Sequence, residues 1–88
     1  MEKIQEKVKK MPSAFVFIST APASMPEVLK KVRALEGVEE AEMLYGVYDI
    51  IAKVKAETMD NLKHIITHDI RGLDKVNATQ TLLVIPQI

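Results

Sequence analysis

The stretch Val38-Glu-Glu-Ala-Glu-Met-Leu-Tyr-Gly-Val-Tyr-Asp-Ile-Ile-Ala-Lys-Val54 decides the fold. Its first half alternates: Val38, Glu40, Glu42 and Leu44 fall on one side, and Glu39, Ala41, Met43 and Tyr45 on the other. A period of two is the mark of a β-strand. The glutamates place this strand, Val38 to Tyr45, in partial contact with water, near a sheet edge. The second half, Tyr48 to Val54, sets Ile50, Ala52 and Val54 against Asp49, Ile51 and Lys53. Between them Tyr45-Gly46-Val47-Tyr48 reads as a tight two-residue connection, and glycine at its first central position suits a type II′ hairpin turn.

Outward from this hairpin, each side carries a helix and then a strand. Upstream, Ala14-Phe-Val-Phe-Ile-Ser-Thr20 is aromatic and β-branched, with Phe15 and Phe17 on one face and Val16 and Ile18 on the other. It reads as a strand with both faces buried. Ala21-Pro-Ala-Ser24 is a loop, and Ser24-Met-Pro-Glu27 has the spacing of a capping box. Val28, Leu29, Val32 and Leu35 then make a helical stripe that Gly37 stops. Downstream, Thr58 opens a helix with core positions Met59, Leu62, Ile65, Ile66 and Ile70, and Gly72 ends it. Lys75 to Ile85 is the last strand, and Pro86 stops it. At the start, Glu2 to Lys10 reads as a short amphipathic helix carrying Ile4 and Val8, a frayed tail or a clip onto a neighbouring subunit.

The order is therefore βαββαβ. Right-handed crossovers make this an α+β, ferredoxin-like sandwich, with two helices on one face of a four-stranded antiparallel sheet. Residues 1–12 are a helical extension and 13–88 the domain. The second sheet face has no helix to cover it, although the strands carry apolar residues on both faces. Self-association of the dimeric α+β barrel type is the economical solution.

Composition narrows the function. Eighty-eight residues hold one core, and 48% apolar with 27% charged residues suits a globular chain, not a disordered one. Twelve basic residues balance twelve acidic ones, so no electrostatic footprint for nucleic acid exists at the level of the whole chain. The absence of cysteine excludes disulfides, thiolate nucleophiles and cysteine-based zinc sites. No apolar run is long enough to span a membrane, and the start lacks a signal-peptide core, so the cytoplasm is the expected location.

Gly46-Val-Tyr-Asp-Ile-Ile51, following an acidic strand, resembles the G-x-Y-D-hydrophobic signature of the leucine-responsive regulator/AsnC (Lrp/AsnC) family, in its C-terminal domain for regulation of amino-acid metabolism. Val38-Glu-Glu-Ala41 after Glu36-Gly37 is similar to that domain's entry into its second strand. Val76-Asn-Ala-Thr-Gln-Thr-Leu-Leu-Val84 resembles its last strand. The likeness runs from about Ser13 to Ile85. It implies an amino-acid-binding effector domain acting in transcriptional regulation, a homodimer that assembles further to an octamer, and full-length family members as possible partners. Members carry an N-terminal helix-turn-helix, whereas residues 1–12 are too few for one. A stand-alone effector domain without direct DNA binding is the expectation.

The candidate ligand-binding residues are Gly46, Val47, Tyr48, Asp49, Thr79 and Thr81. An amino acid presents an ammonium, which Asp49 can accept from, and a carboxylate, to which the turn amides can donate where glycine allows close approach. On the residues alone a plain hairpin with a solvated Asp49 explains the same pattern; the resemblance favours the ligand reading. Thr79, Gln80 and Thr81 either complete a polar pocket at a subunit junction or simply follow the strand preference of threonine. His64 and His68 have metal-ligand spacing on a helix, but H-E-x-x-H fails at Ile65, and solvated surface histidines near Asp60 account for them. No catalytic set stands out: Glu39, Glu40 and Glu42 read as a solvated strand, and Asp49 has no identifiable partner as a general base. No cofactor or metal is called for. Two alternatives remain: a ligand-free assembly partner of full-length relatives, and a cofactor-free monooxygenase-like enzyme on the same fold.

Overall fold

The computed structural model describes residues 11–85, so the N-terminal helix expected over Glu2 to Lys10 and the stop at Pro86 lie outside the described residues. Four strands and two helical segments follow the expected order: β1 (Ser13–Thr20), α1 (Met25–Arg33), β2 (Val38–Met43), β3 (Ile50–Lys55), α2 (Met59–His64, continuing as a π-helix over Ile65–Ile70) and β4 (Val76–Leu83). The sheet order is β2-β3-β1-β4, antiparallel throughout. This is the ferredoxin-like α+β fold. Its two longest strands, β1 and β4, are neighbours, and β2 and β4 form the edges.

Alternation along β1 divides the sheet into two faces. Ala14, Val16 and Ile18 are fully buried, as are Ile50, Ala52 and Val54 of β3. Against them pack Val28, Leu29 and Val32 of α1 and Leu62, Ile66 and Ile70 of the second helix. Each such large aliphatic side chain contributes about 1.5–3 kcal/mol by leaving water. On the opposite face the registered rows are Glu42–Ile51–Phe17–Gln80 and Glu40–Lys53–Phe15–Leu82. Among the described residues nothing covers them, and Leu82 and Phe15 remain exposed. The face is mixed, an apolar centre of Phe15, Phe17, Ile51 and Leu82 flanked by charges, with the Lys53 ammonium 5.9 Å from the Phe15 ring centre.

Several local expectations give way to tertiary contacts. The β2–β3 connection is no two-residue turn. The strands stop at Met43 and begin again at Ile50, leaving a six-residue loop, 44–49, closed by the Leu44 amide donating to the Asp49 carbonyl at 2.7 Å. Gly46 has φ +159°, far from the value near +60° that a type II′ turn requires. A register shift between Val38 and Glu40 turns Val38 to the helix side with Ala41. The displaced Glu39 instead meets Lys55 at 3.3 Å.

The capping box does not form. Ser24 Oγ donates weakly to the Pro22 carbonyl at 3.4 Å, and Glu27 is drawn away to Lys75 at 3.2 Å and Lys31 at 3.5 Å. The Thr58 cap does form, its Oγ1 accepting from the Asn61 amide at 3.1 Å. Met59, expected in the core, is 41% exposed as the first residue of the second helix, and the buried positions are Leu62, Ile66 and Ile70. α1 ends before the expected stop at Gly37, at Arg33 with Ala34 as a right-handed cap. Gly37, φ +95°, instead turns the chain into β2, and a side chain there would collide with Ile65.

Candidate functional site

The loop between β2 and β3 is pinned at one end and free at the other. Its base is Asp49. The Asp49 amide donates to the Ile18 carbonyl at 2.9 Å. Its carboxylate Oδ2 accepts from the Thr20 amide at 2.7 Å and the Thr20 hydroxyl at 3.2 Å. Charge-assisted bonds of this kind are the strong ones, so Asp49 ties the loop to the end of the central strand. Oδ1 is left as the remaining acceptor. Tyr48 forms the second anchor on the open sheet face: its ring lies 5.7 Å from Phe17, tilted by 47°, and its hydroxyl donates to Gln80 Oε1 at 3.0 Å.

The tip has no such ties. Tyr45 and Val47 are fully exposed or nearly so, and a Cβ built on Gly46 would meet nothing within 4 Å. Among the described residues, no backbone acceptor pairs with the amides of Gly46, Val47 or Tyr48. The tip therefore offers a row of free donors beside a half-satisfied carboxylate, with apolar side chains standing in water.

The candidate residues do not all converge. Thr79 and Thr81 lie opposite Ile18 and Val16 on β1, and so share the helix-covered face. Gln80, between them, lies opposite Phe17 on the open face and meets Tyr48. Within one chain, Gly46, Val47, Tyr48 and Asp49 thus gather with Gln80 and Thr20, while Thr79 and Thr81 occupy the other side of the edge strand. Thr20 went unnoticed in the sequence because its only signal is a contact 29 residues away.

Two clefts lie elsewhere on the domain and do not include the loop. One, of about 510 Å³, lies between the end of β3 and the second helix, beside Glu36, Lys55, Asn61, His64 and Asp69. The other, of about 310 Å³, runs along the edge strand β2 by Arg33. Arg33 Nε and Nη2 both donate to the Ala41 carbonyl, at 2.9 and 2.8 Å, which clamps α1 to that edge. The volume of these clefts is set by the gap between helix and sheet, whereas the loop stands clear of its own chain.

Comparison with known proteins places the fold and the loop in context. The family model for the Lrp/AsnC ligand binding domain matches residues 13–88. Regulatory protein AsnC of Escherichia coli K12 is 35% identical over 60 residues, a span of 68% of this chain and 40% of that protein. The solved structure of Escherichia coli AsnC superposes with a TM-score of 0.82 at 28% identity, covering 93% of this chain and 56% of AsnC. A hypothetical protein of Pyrococcus horikoshii, 36% identical, superposes at 0.81 over 88% of this chain and 93% of its own. A transcriptional regulator of Neisseria meningitidis, solved as a complex with L-methionine, shares the fold at a TM-score of 0.78 and 22% identity, covering 94% of this chain and 55% of its own. The match over residues 13–88 includes both anchors of the loop, and the chain belongs to the Lrp/AsnC ligand-binding domain family.

Proposed function

We propose that this domain is a non-enzymatic amino-acid sensor of a transcription regulator, with its ligand held between two copies of the chain at the Gly46–Asp49 loop. The observation that carries the reading is the loop's two-sided character, a base held by Asp49 and Tyr48 and a tip whose donors and apolar side chains face water. A zwitterion needs an acceptor for its ammonium, several donors for its carboxylate, and shelter from water. Asp49 Oδ1 supplies the first, and the amides of Gly46, Val47 and Tyr48 the second. A second copy supplies the shelter. Thr79 and Thr81 face the helix side of β4 and so stand away from this junction; Gln80, which meets Tyr48 on the open face, is the β4 residue beside it.

The open sheet face supports the same arrangement. Phe15, Phe17, Ile51 and Leu82 form its apolar centre, and their burial requires a partner. Two such sheets packed face to face make the homodimer, and dimers assemble further, to an octamer. Ligand occupancy then couples to assembly. The L-methionine bound by the Neisseria regulator of the same fold supports the ligand class. Full-length family members are possible partners, and the domain acts in the cytoplasm without contacting DNA through these 88 residues.

The test is a thermal-shift panel of the twenty amino acids, followed by calorimetry on the best. Asp49→Asn is the informative variant, because an amide oxygen still accepts from Thr20 while the charge is lost. It should abolish the ligand-induced shift and leave the ligand-free melting temperature within a few degrees of the parent. Asp49→Ala loses the Thr20 bonds as well, a cost of about 1.5–3 kcal/mol in the unliganded domain. Undiminished affinity in Asp49→Asn would refute the site, and a parent that responds to no amino acid would refute the function.

A further inference from the structure

Past His64 the second helix changes pitch. Ile65–Ile70 is a π-helix, with the Arg71 amide donating to the Ile66 carbonyl five residues back. In a regular α-helix, residues five apart point about 140° away from each other. The wider turn brings them back into line, and such turns recur at functional sites. Here the residues aligned are His64, His68 and Asp69, whose nearest ligand atoms all lie within 4.8 Å of one another.

We propose that His64, His68 and Asp69 form a binding site for a divalent transition metal of the zinc class. His68 Nδ1 lies 3.5 Å from Asp69 Oδ1, and His64 Nε2 lies 4.0 Å from the same oxygen. Metal–ligand bonds near 2.05 Å at tetrahedral angles set neighbouring donors about 3.3 Å apart. These two separations close to that value by side-chain movements of less than about 1 Å, and the widest in the cluster, at most 4.8 Å, closes by up to about 1.5 Å. The two imidazole rings are stacked, 13° apart in plane with centres at 4.7 Å, so both must turn out of the stack for their in-plane lone pairs to meet at one ion, a movement open to exposed side chains.

Two imidazoles and one carboxylate suit zinc, nickel, copper or cobalt, whereas magnesium and calcium prefer all-oxygen sets. His64 and Asp69 also line the cleft of about 510 Å³, so the remaining coordination positions stay open to water or to a further ligand. The Thr67 hydroxyl donates to the Lys63 carbonyl at 2.7 Å and lends the widened turn a further tie. The site is separate from the Gly46–Asp49 loop and does not depend on the ligand assigned there.

The test uses the tag-free 88-residue chain. Zinc calorimetry should give one ion per chain, and cobalt should develop the visible absorption bands of low-symmetry, four-coordinate binding. His64→Ala, His68→Ala and Asp69→Asn should each weaken zinc by about tenfold or more, the loss that even outer-shell partners bring. Both histidines are largely exposed, so the variants keep the fold, checked by circular dichroism. A His64→Ala/His68→Ala double variant that takes up zinc with parental affinity and stoichiometry would overturn the proposal. So would a parent that binds none at millimolar concentration, which would leave the cluster an ion pair only.

Discussion

Replacing Gly37 with alanine should destabilise the domain by about 0.5–3 kcal/mol, a backbone and a packing cost less the restriction of the unfolded chain. Gly37 has φ +95°, where an L side chain costs about 1–2 kcal/mol. Its added Cβ would stand 2.6 Å from Ile65 Cδ1 and 3.2 Å from the Lys55 carbonyl oxygen. Ordinary carbon contacts begin near 3.5 Å, so the Ile65 methyl must retreat by about 1 Å. Ile65 is only partly buried and can turn, at about 0.5–1.5 kcal/mol for an off-rotamer position. The Lys55 carbonyl is less free to move, because the Lys55 amide donates to the Gly37 carbonyl at 2.8 Å. Alanine also restricts the unfolded chain, which returns about 0.4–1 kcal/mol. The net loss, near 2 kcal/mol, corresponds to a fall in melting temperature of about 8–16 °C for a domain of this size. Urea denaturation followed by circular dichroism, repeated at several protein concentrations to separate folding from assembly, reads it directly. An unchanged or raised midpoint would refute the reasoning, since it would mean that neither the left-handed backbone nor the contact with Ile65 is present in solution.

Thr58→Ala removes the cap on Asn61 and should cost about 1 kcal/mol in urea denaturation, whereas Ser24→Ala should cost much less, because Ser24 caps nothing. The hydrogen bond from Lys75 holds the Glu27 carboxyl below its ordinary value of 4.5, followed by the lesser influence of Lys31. With the folded value depressed, Glu27 contributes stability above pH 4.5 that is lost as pH falls through the folded value. Glu27→Gln should flatten the acid limb of the stability profile slightly, and added salt should erase the difference because the pair is exposed. Phe17→Asp, on the open sheet face, should shift light scattering toward the monomer without loss of secondary structure; an unchanged assembly size would place the interface elsewhere. The 88-residue chain should show no tight, salt-sensitive binding to duplex DNA in a gel shift, as its balanced charge requires.

Local pattern carried a reader of this sequence a long way. Period-two alternation marked β2 and β3, and an aromatic and β-branched run marked β1. The helical stripes included the buried Val28, Leu29 and Val32 and Leu62, Ile66 and Ile70, though Leu35, Met59 and Ile65 of the same stripes are only partly buried or exposed. The glutamates of β2 marked an edge strand, and Gly37 a left-handed turn, although one that lies past the end of α1, because hydrophobic periodicity and glycine's freedom act over a few residues and leave a trace in the chain. From βαββαβ order and crossover handedness the sheet topology followed.

Other features depend on groups far apart in the chain, and no neighbouring residue records them. Asp49 bonds to Thr20 across 29 residues and Tyr48 to Gln80 across 32. Those contacts turned an expected two-residue hairpin into an anchored six-residue loop. Lys75, 48 residues beyond Glu27, drew that side chain away from its cap. The π turn is subtler still. On an α-helix Asp69 would lie off the histidine face, so the sequence showed only His64 and His68. The placement of Asp69 beside them was decided where the second helix had to seat Ile66 and Ile70 against the sheet, a packing demand that the local hydrogen-bond pattern obeyed instead of setting.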